Sequence, residues 1–82
     1  MSNILVTGGA GFLGSYLCKE LIGQGHTVVC VDLSDASRLE GIQNHPKFTF
    51  IQDSILNHAM LEREMKTADL VFHLAAIADP MR

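Results

Sequence analysis

Four of the seven glycines in this 82-residue chain crowd into one stretch, Thr7-Gly8-Gly9-Ala10-Gly11-Phe12-Leu13-Gly14. Both Gly9-x-Gly11-x-x-Gly14 and Gly8-x-x-Gly11-x-x-Gly14 can be read in it. Glycine tolerates positive φ and carries no Cβ, so such a run makes a tight turn whose backbone can approach a charged group closely. The apolar run Ile4-Leu5-Val6 precedes it and a helical pattern follows. In that setting the amides of Gly11, Phe12 and Leu13 open a helix without intrahelical acceptors, and with the positive end of the helix dipole they attract a diphosphate. Gly14 lets the helix lie close to the strand. A glycine-rich turn with no ligand is the plainer alternative, and the strand-to-helix setting favours the anion site over it. A mononucleotide P-loop is excluded, because Ser15-Tyr16 stands where its Lys and Ser/Thr are required.

A second candidate lies 18 residues beyond Gly14, where Asp32 ends the apolar run Val28-Val29-Cys30-Val31. A carboxylate at that place can accept from both hydroxyls of an adenosine ribose and would repel a 2′-phosphate, so the expected ligand is NAD rather than NADP. Arg38 is the one nearby guanidinium that could meet a 2′-phosphate. Asp53 follows a further apolar run and could accept from an adenine amino group or cap the turn after it; the residues alone leave both roles open. His73-Leu74-Ala75-Ala76 carries small residues past the last strand, letting the chain pass close to a ligand. His26, His45, His58 and His73 lack metal-ligand spacing, and Cys18 and Cys30 sit where buried small hydrophobes are usual.

These groups need a frame. Residues 4–7, 27–31, 48–51 and 70–75 read as buried strands. Between the first two, Leu13, Leu17 and Leu21 recur four apart with Phe12 and Tyr16 beside them, predicting a helix with a leucine stripe on the core. Residues 34–45 predict a short helix or irregular crossover, and Asn57 is a cap for a helix carrying Leu61 and Met65. Strands alternating with helices imply right-handed βαβ units and an α/β fold, a partial Rossmann-like doubly wound parallel sheet in the order 3-2-1-4. The chain stops where such a sheet would continue. It is therefore expected to be one truncated dinucleotide-binding domain over residues 1–82, with an uncovered apolar edge that promotes association with its own copies.

Composition narrows the classes further. With 48% hydrophobic and 18% charged residues the chain is suited to packing, and a net charge of −3 offers no footprint for nucleic acid. Two cysteines make no staple network, and no apolar run is long enough to cross a bilayer, so a cytoplasmic setting is expected.

Taken together, Thr7-Gly8-x-x-Gly11-x-x-Gly14, Asp32, Asp53 and Phe72-His73-Leu74-Ala75-Ala76 resemble the amino-terminal part of the extended short-chain dehydrogenase/reductase family, the NAD-dependent epimerases and dehydratases. The resemblance implies the Phe12 and Leu13 amides on the pyrophosphate, Asp32 on the adenosine ribose, and Asp53 with Ser54 at the adenine. It places Leu74, Ala75 and Ala76 near the cofactor ribose, and implies hydride transfer to or from a nucleotide-sugar or related hydroxyl substrate. Two departures stand out. Ser54 replaces a frequent aliphatic residue, and the family's catalytic Ser/Thr and Tyr-x-x-x-Lys have no counterpart, since Tyr16 with Lys19 three residues on is not that motif. No catalytic residue and no metal ligand is therefore assigned. The expectation is the NAD-binding portion of an epimerase, dehydratase or reductase that meets its small-molecule substrate only with a downstream half. The alternative is a non-catalytic dinucleotide-binding module that reports NAD occupancy to a partner.

Overall fold

Four apolar runs become four strands: β1 (Asn3–Thr7), β2 (Thr27–Asp32), β3 (Phe48–Gln52) and β4 (Leu70–His73). The structure is a computed structural model and describes residues 2–8, 10–54 and 56–74. All three pairings are parallel and the sheet order is β3-β2-β1-β4, as the spacing of runs and crossovers predicts. Helix α1 (Phe12–Gly23) joins β1 to β2, and helix α2 (His58–Thr67) joins β3 to β4. The crossover from β2 to β3 contains a single 3₁₀ turn, Ser37–Leu39. The register pairs Thr7 with Val31 on one side and with His73 on the other, so the carboxyl ends of the central strands form one level rim.

Successive side chains point to opposite sheet faces. Ile4, Val6, Val28, Cys30 and Phe48 pack with Cys18, Leu21, Ile22, Leu39 and Ile42 on the α1 side. On the other face Leu5 and Val31 pack with Met60 of α2. Both cysteines, Cys18 and Cys30, are buried in this core.

The leucine stripe expected on α1 packs only in part: Leu21 is in the core and Leu17 lies half-buried against it, but Leu13 faces out. Gly14, Ser15, Cys18, Leu21 and Ile22 are buried, whereas Leu13 is 61% and Tyr16 64% exposed. The small side chains of Gly14, Ser15 and Cys18 permit close packing on the sheet, and the helical period leaves Leu13 on the side away from them. Helix α2 begins where Asn57 predicts it, with the Asn57 side chain accepting from Met60 N–H at 3.1 Å. Its buried residue is Met60, while Leu61 is half-buried and Met65 is 51% exposed. At the sheet edge, Leu70 and Val71 of β4 are open to solvent. Among the described residues, no helix is long and apolar enough to cross a membrane.

Candidate functional site

The rim at the strand carboxyl ends is stitched by backbone hydrogen bonds that run across the whole sheet. Asp53 N–H donates to the Asp32 carbonyl at 3.0 Å, Gly8 N–H to the Val31 carbonyl at 2.7 Å, and Leu74 N–H to the Thr7 carbonyl at 2.9 Å. The described candidates from four separate stretches of sequence are thereby held along one line. Gly9, Ala75 and Ala76 lie outside the described residues.

Gly8 follows β1 with φ of 79°, a conformation in which a Cβ is strained, and it turns the chain out of the sheet. Gly11 caps α1 with φ of −75° and no side-chain cap hydrogen bond; its carbonyl accepts the first helical bond, from Ser15 N–H at 2.8 Å. The amides of Phe12, Leu13 and Gly14 thus form a first turn without intrahelical acceptors. A Cβ built on Gly11 would meet only the Gly8 carbonyl oxygen, at an ordinary 3.7 Å. Among the described residues nothing demands glycine at this position, so the space a side chain would fill is open there to a ligand lying against the turn. The first turn carries no acidic side chain, which suits an anion there.

Asp32 stands at the end of β2, half-buried. One of its carboxylate oxygens accepts from Ala10 N–H at 3.0 Å and the other from Ser34 N–H at 2.9 Å. Each oxygen keeps a further lone pair, so the carboxylate is aimed and still able to accept from two neighbouring hydroxyls. The bond to Ala10 ties Asp32 to the glycine loop 22 residues earlier. Ala10 was not readable from side-chain chemistry, because its contribution is a backbone amide.

Asp53 and Ser54 serve the local turn. Asp53 accepts from Ser54 N–H at 2.7 Å and from the Asn57 side-chain amide at 2.8 Å, and the Ser54 hydroxyl accepts from Leu56 N–H at 3.0 Å. The capping role open to Asp53 is therefore realised, and both residues remain half-buried on the rim beside Asp32. Arg38 lies with its guanidinium carbon 5.8 Å from the centre of the Phe12 ring, within reach of a cation–π contact at the mouth of the glycine loop. A hollow of about 750 Å³ opens on the outer side of α1 against Phe12, Leu13, Tyr16 and Arg38; neither Asp32 nor Asp53 lines it. Among the described residues no group of three His, Cys, Asp or Glu side chains could hold a metal ion.

Residues 4–82 match the model of the NAD dependent epimerase/dehydratase family. The chain is 37% identical over 81 residues to UDP-glucuronic acid decarboxylase 2 of Arabidopsis thaliana, an alignment covering 95% of this chain and 17% of that protein. Its fold superposes on dTDP-glucose 4,6-dehydratase from Bacillus anthracis in complex with NAD, with a TM-score of 0.78 and 30% identity over 89% of this chain and 26% of the other. It also superposes on UDP-glucose-4-epimerase from Stenotrophomonas maltophila, solved with NAD and formylated UDP-arabinopyranose bound; the TM-score is 0.76 at 41% identity, covering 89% and 24% of the two chains. The chain thus spans about a quarter or less of the length of each of these proteins.

Proposed function

Because the chain belongs to the NAD-dependent epimerase/dehydratase family, we propose that its strand-end rim binds NAD, and that residues 1–82 are the NAD-binding unit of an enzyme acting on a nucleotide sugar by hydride transfer. The observation that carries this reading is the link between the two halves of the site: Asp32 is hydrogen-bonded to Ala10 inside the glycine loop. A ribose acceptor and a diphosphate cradle are thereby held at a fixed separation. The solved relatives that hold NAD support the cofactor, and the decarboxylase and epimerase support the sugar-nucleotide class.

In this reading the Phe12 and Leu13 amides hold the pyrophosphate, with room left by Gly11, while Gly8 turns the loop and Gly14 seats the helix on the sheet. Asp32 accepts from the ribose hydroxyls through the lone pairs that Ala10 and Ser34 leave unused. Asp53 and Ser54 border the adenine, and Leu74 lies near the cofactor ribose, the role the resemblance also gives to Ala75 and Ala76, which lie outside the described residues. When bound, the nicotinamide supplies a hydride acceptor or donor. The assigned residues bind and orient; none of them moves a proton at the substrate.

Calorimetric titration of NAD and NADP into the wild type and Asp32→Ala tests the assignment. NAD binds the wild type more tightly than NADP. Losing charged hydrogen bonds to the ribose costs the variant about 1–3 kcal/mol for NAD and little for NADP. Tighter binding of NADP by the wild type overturns the reading.

A further inference from the structure

Thr7 closes β1, His73 closes β4, and the two are register partners. Their side chains meet, with Thr7 Oγ1 2.6 Å from His73 Nδ1. One residue further on, the backbone repeats the link through Leu74 N–H and the Thr7 carbonyl. Gly8 turns away immediately afterwards and is itself tied to Val31 of β2. The last residue of β1 is therefore gripped from β4 at the point where the glycine loop starts.

The surroundings assign the proton in this contact. Thr7 is 1% exposed, and its hydroxyl has no other partner among the described residues. Were the ring to donate from Nδ1, the hydroxyl hydrogen would be buried without an acceptor, an arrangement native structures avoid. Among the described residues this favours the hydroxyl as the donor to Nδ1, which puts the ring hydrogen on Nε2. His73 is exposed, so Nε2–H can be satisfied by solvent.

We propose that Thr7 and His73 form a clamp that positions the glycine loop for the dinucleotide, the Thr7 hydroxyl locking the ring in its Nε2–H tautomer. The proposal rests on the rim being the NAD site, and both residues act through the loop without contacting the cofactor. Main-chain amides bind a diphosphate only when they point in fixed directions, and a loop of glycines has few side chains with which to hold them. Beside the Ala10–Asp32 bond, its direction is set by the strand end that feeds it, which is the end the clamp fixes.

Four variants and one spectrum test this. Thr7→Val keeps the shape and removes the hydroxyl, His73→Leu removes the ring nitrogen, Thr7→Val/His73→Leu removes both, and Thr7→Ser keeps the hydroxyl. Each disrupting single variant weakens NAD binding roughly three- to tenfold, as expected for one hydrogen bond. The double variant binds no worse than the weaker single, because one interaction is lost only once. Thr7→Ser stays within about twofold of wild type. Nitrogen-15 spectra of the wild-type ring show the hydrogen on Nε2. A ring protonated on Nδ1 instead overturns the proposal, as does a Thr7→Val protein that melts lower yet binds NAD like wild type, or losses that add in the double variant. Failure of the wild type to bind NAD sinks the cofactor reading and the clamp with it, whereas wild-type binding with undiminished variants sinks the clamp alone.

Discussion

A methyl group added at Gly8 and one added at Gly11 meet different obstacles. At Gly8 the backbone is in the left-handed region, so Gly8→Ala strains the chain by about 1–2 kcal/mol and lowers the denaturation midpoint whether or not a ligand is present. At Gly11 the backbone suits any residue and the nearest atom is at ordinary contact distance. Gly11→Ala therefore shifts the unfolding free energy by no more than about 1 kcal/mol, the gain from a stiffer unfolded chain being opposed by the loss of a better N-cap residue. The same methyl stands where a phosphate would approach the first turn, so NAD affinity falls at least about tenfold, or 1.4 kcal/mol. Calorimetry paired with urea unfolding separates the two effects; full NAD affinity in Gly11→Ala would show that no phosphate lies there. Nearby, Asp35 accepts from Ser37 N–H at 3.1 Å. This backbone bond, and secondarily one from the Ser37 hydroxyl, holds the Asp35 carboxyl below the ordinary aspartate range. Since the folded value is the lower one, the ionised form favours the fold: its contribution is complete above the unfolded value and is lost as pH falls through the folded one. An NMR titration of Asp35 shows the depressed midpoint, and Ser37→Ala moves it only part of the way back because the amide remains.

The crossover between β2 and β3 has little regular structure, yet Leu39 at the end of its 3₁₀ turn is completely buried against the α1 side of the sheet. It is the peg that holds the segment bearing Ser34 and Arg38 beside the rim. Leu39→Ala removes a large buried side chain at a cost of about 2–5 kcal/mol, which equilibrium unfolding in urea measures directly. Should the loss stay below about 0.5 kcal/mol, as for an exposed position, the peg assignment is wrong. How far such elements can be read from sequence depends on what carries the signal. The strands and their order were legible because short apolar runs separated by crossovers of this length leave one simple parallel arrangement. The glycine loop and Asp32 were legible because their residue types are restrictive at that spacing. The packing face of α1 was legible only in part: Leu17 and Leu21 do pack, but Gly14, Ser15 and Cys18 carry a weak hydrophobic signal and the exposed Leu13 carries a strong one. The Ala10 amide on Asp32 and the Thr7–His73 contact were hidden, because both join residues distant in sequence through the finished sheet.

A folded chain of 82 residues buries only about 60% of the surface it exposes when unfolded, so the stability of this chain measured by itself rests on a small balance of terms. Among the described residues the sheet adds to that difficulty: Leu70 is 49% and Val71 37% exposed on β4, and the α2 face is lined by a smaller buried group than the α1 face. A ligand that joins the glycine loop to Asp32 would bridge β1, α1 and β2, elements that must all be assembled for the site to exist. Such a ligand binds the folded state alone and stabilises it by mass action, by about 2.7 kcal/mol at a concentration one hundred times Kd. For a domain of this size each kcal/mol moves Tm by about 4–8 °C, so saturating NAD raises the midpoint by roughly 10–20 °C. NADP at the same concentration raises it less, because its 2′-phosphate meets the Asp32 carboxylate. In Asp32→Ala the two dinucleotides become nearly equivalent, since the group that distinguishes them is gone while the phosphate cradle remains. A thermal melt followed by circular dichroism reads all three comparisons. A midpoint indifferent to millimolar NAD would mean that the rim, however well assembled, is not a dinucleotide site.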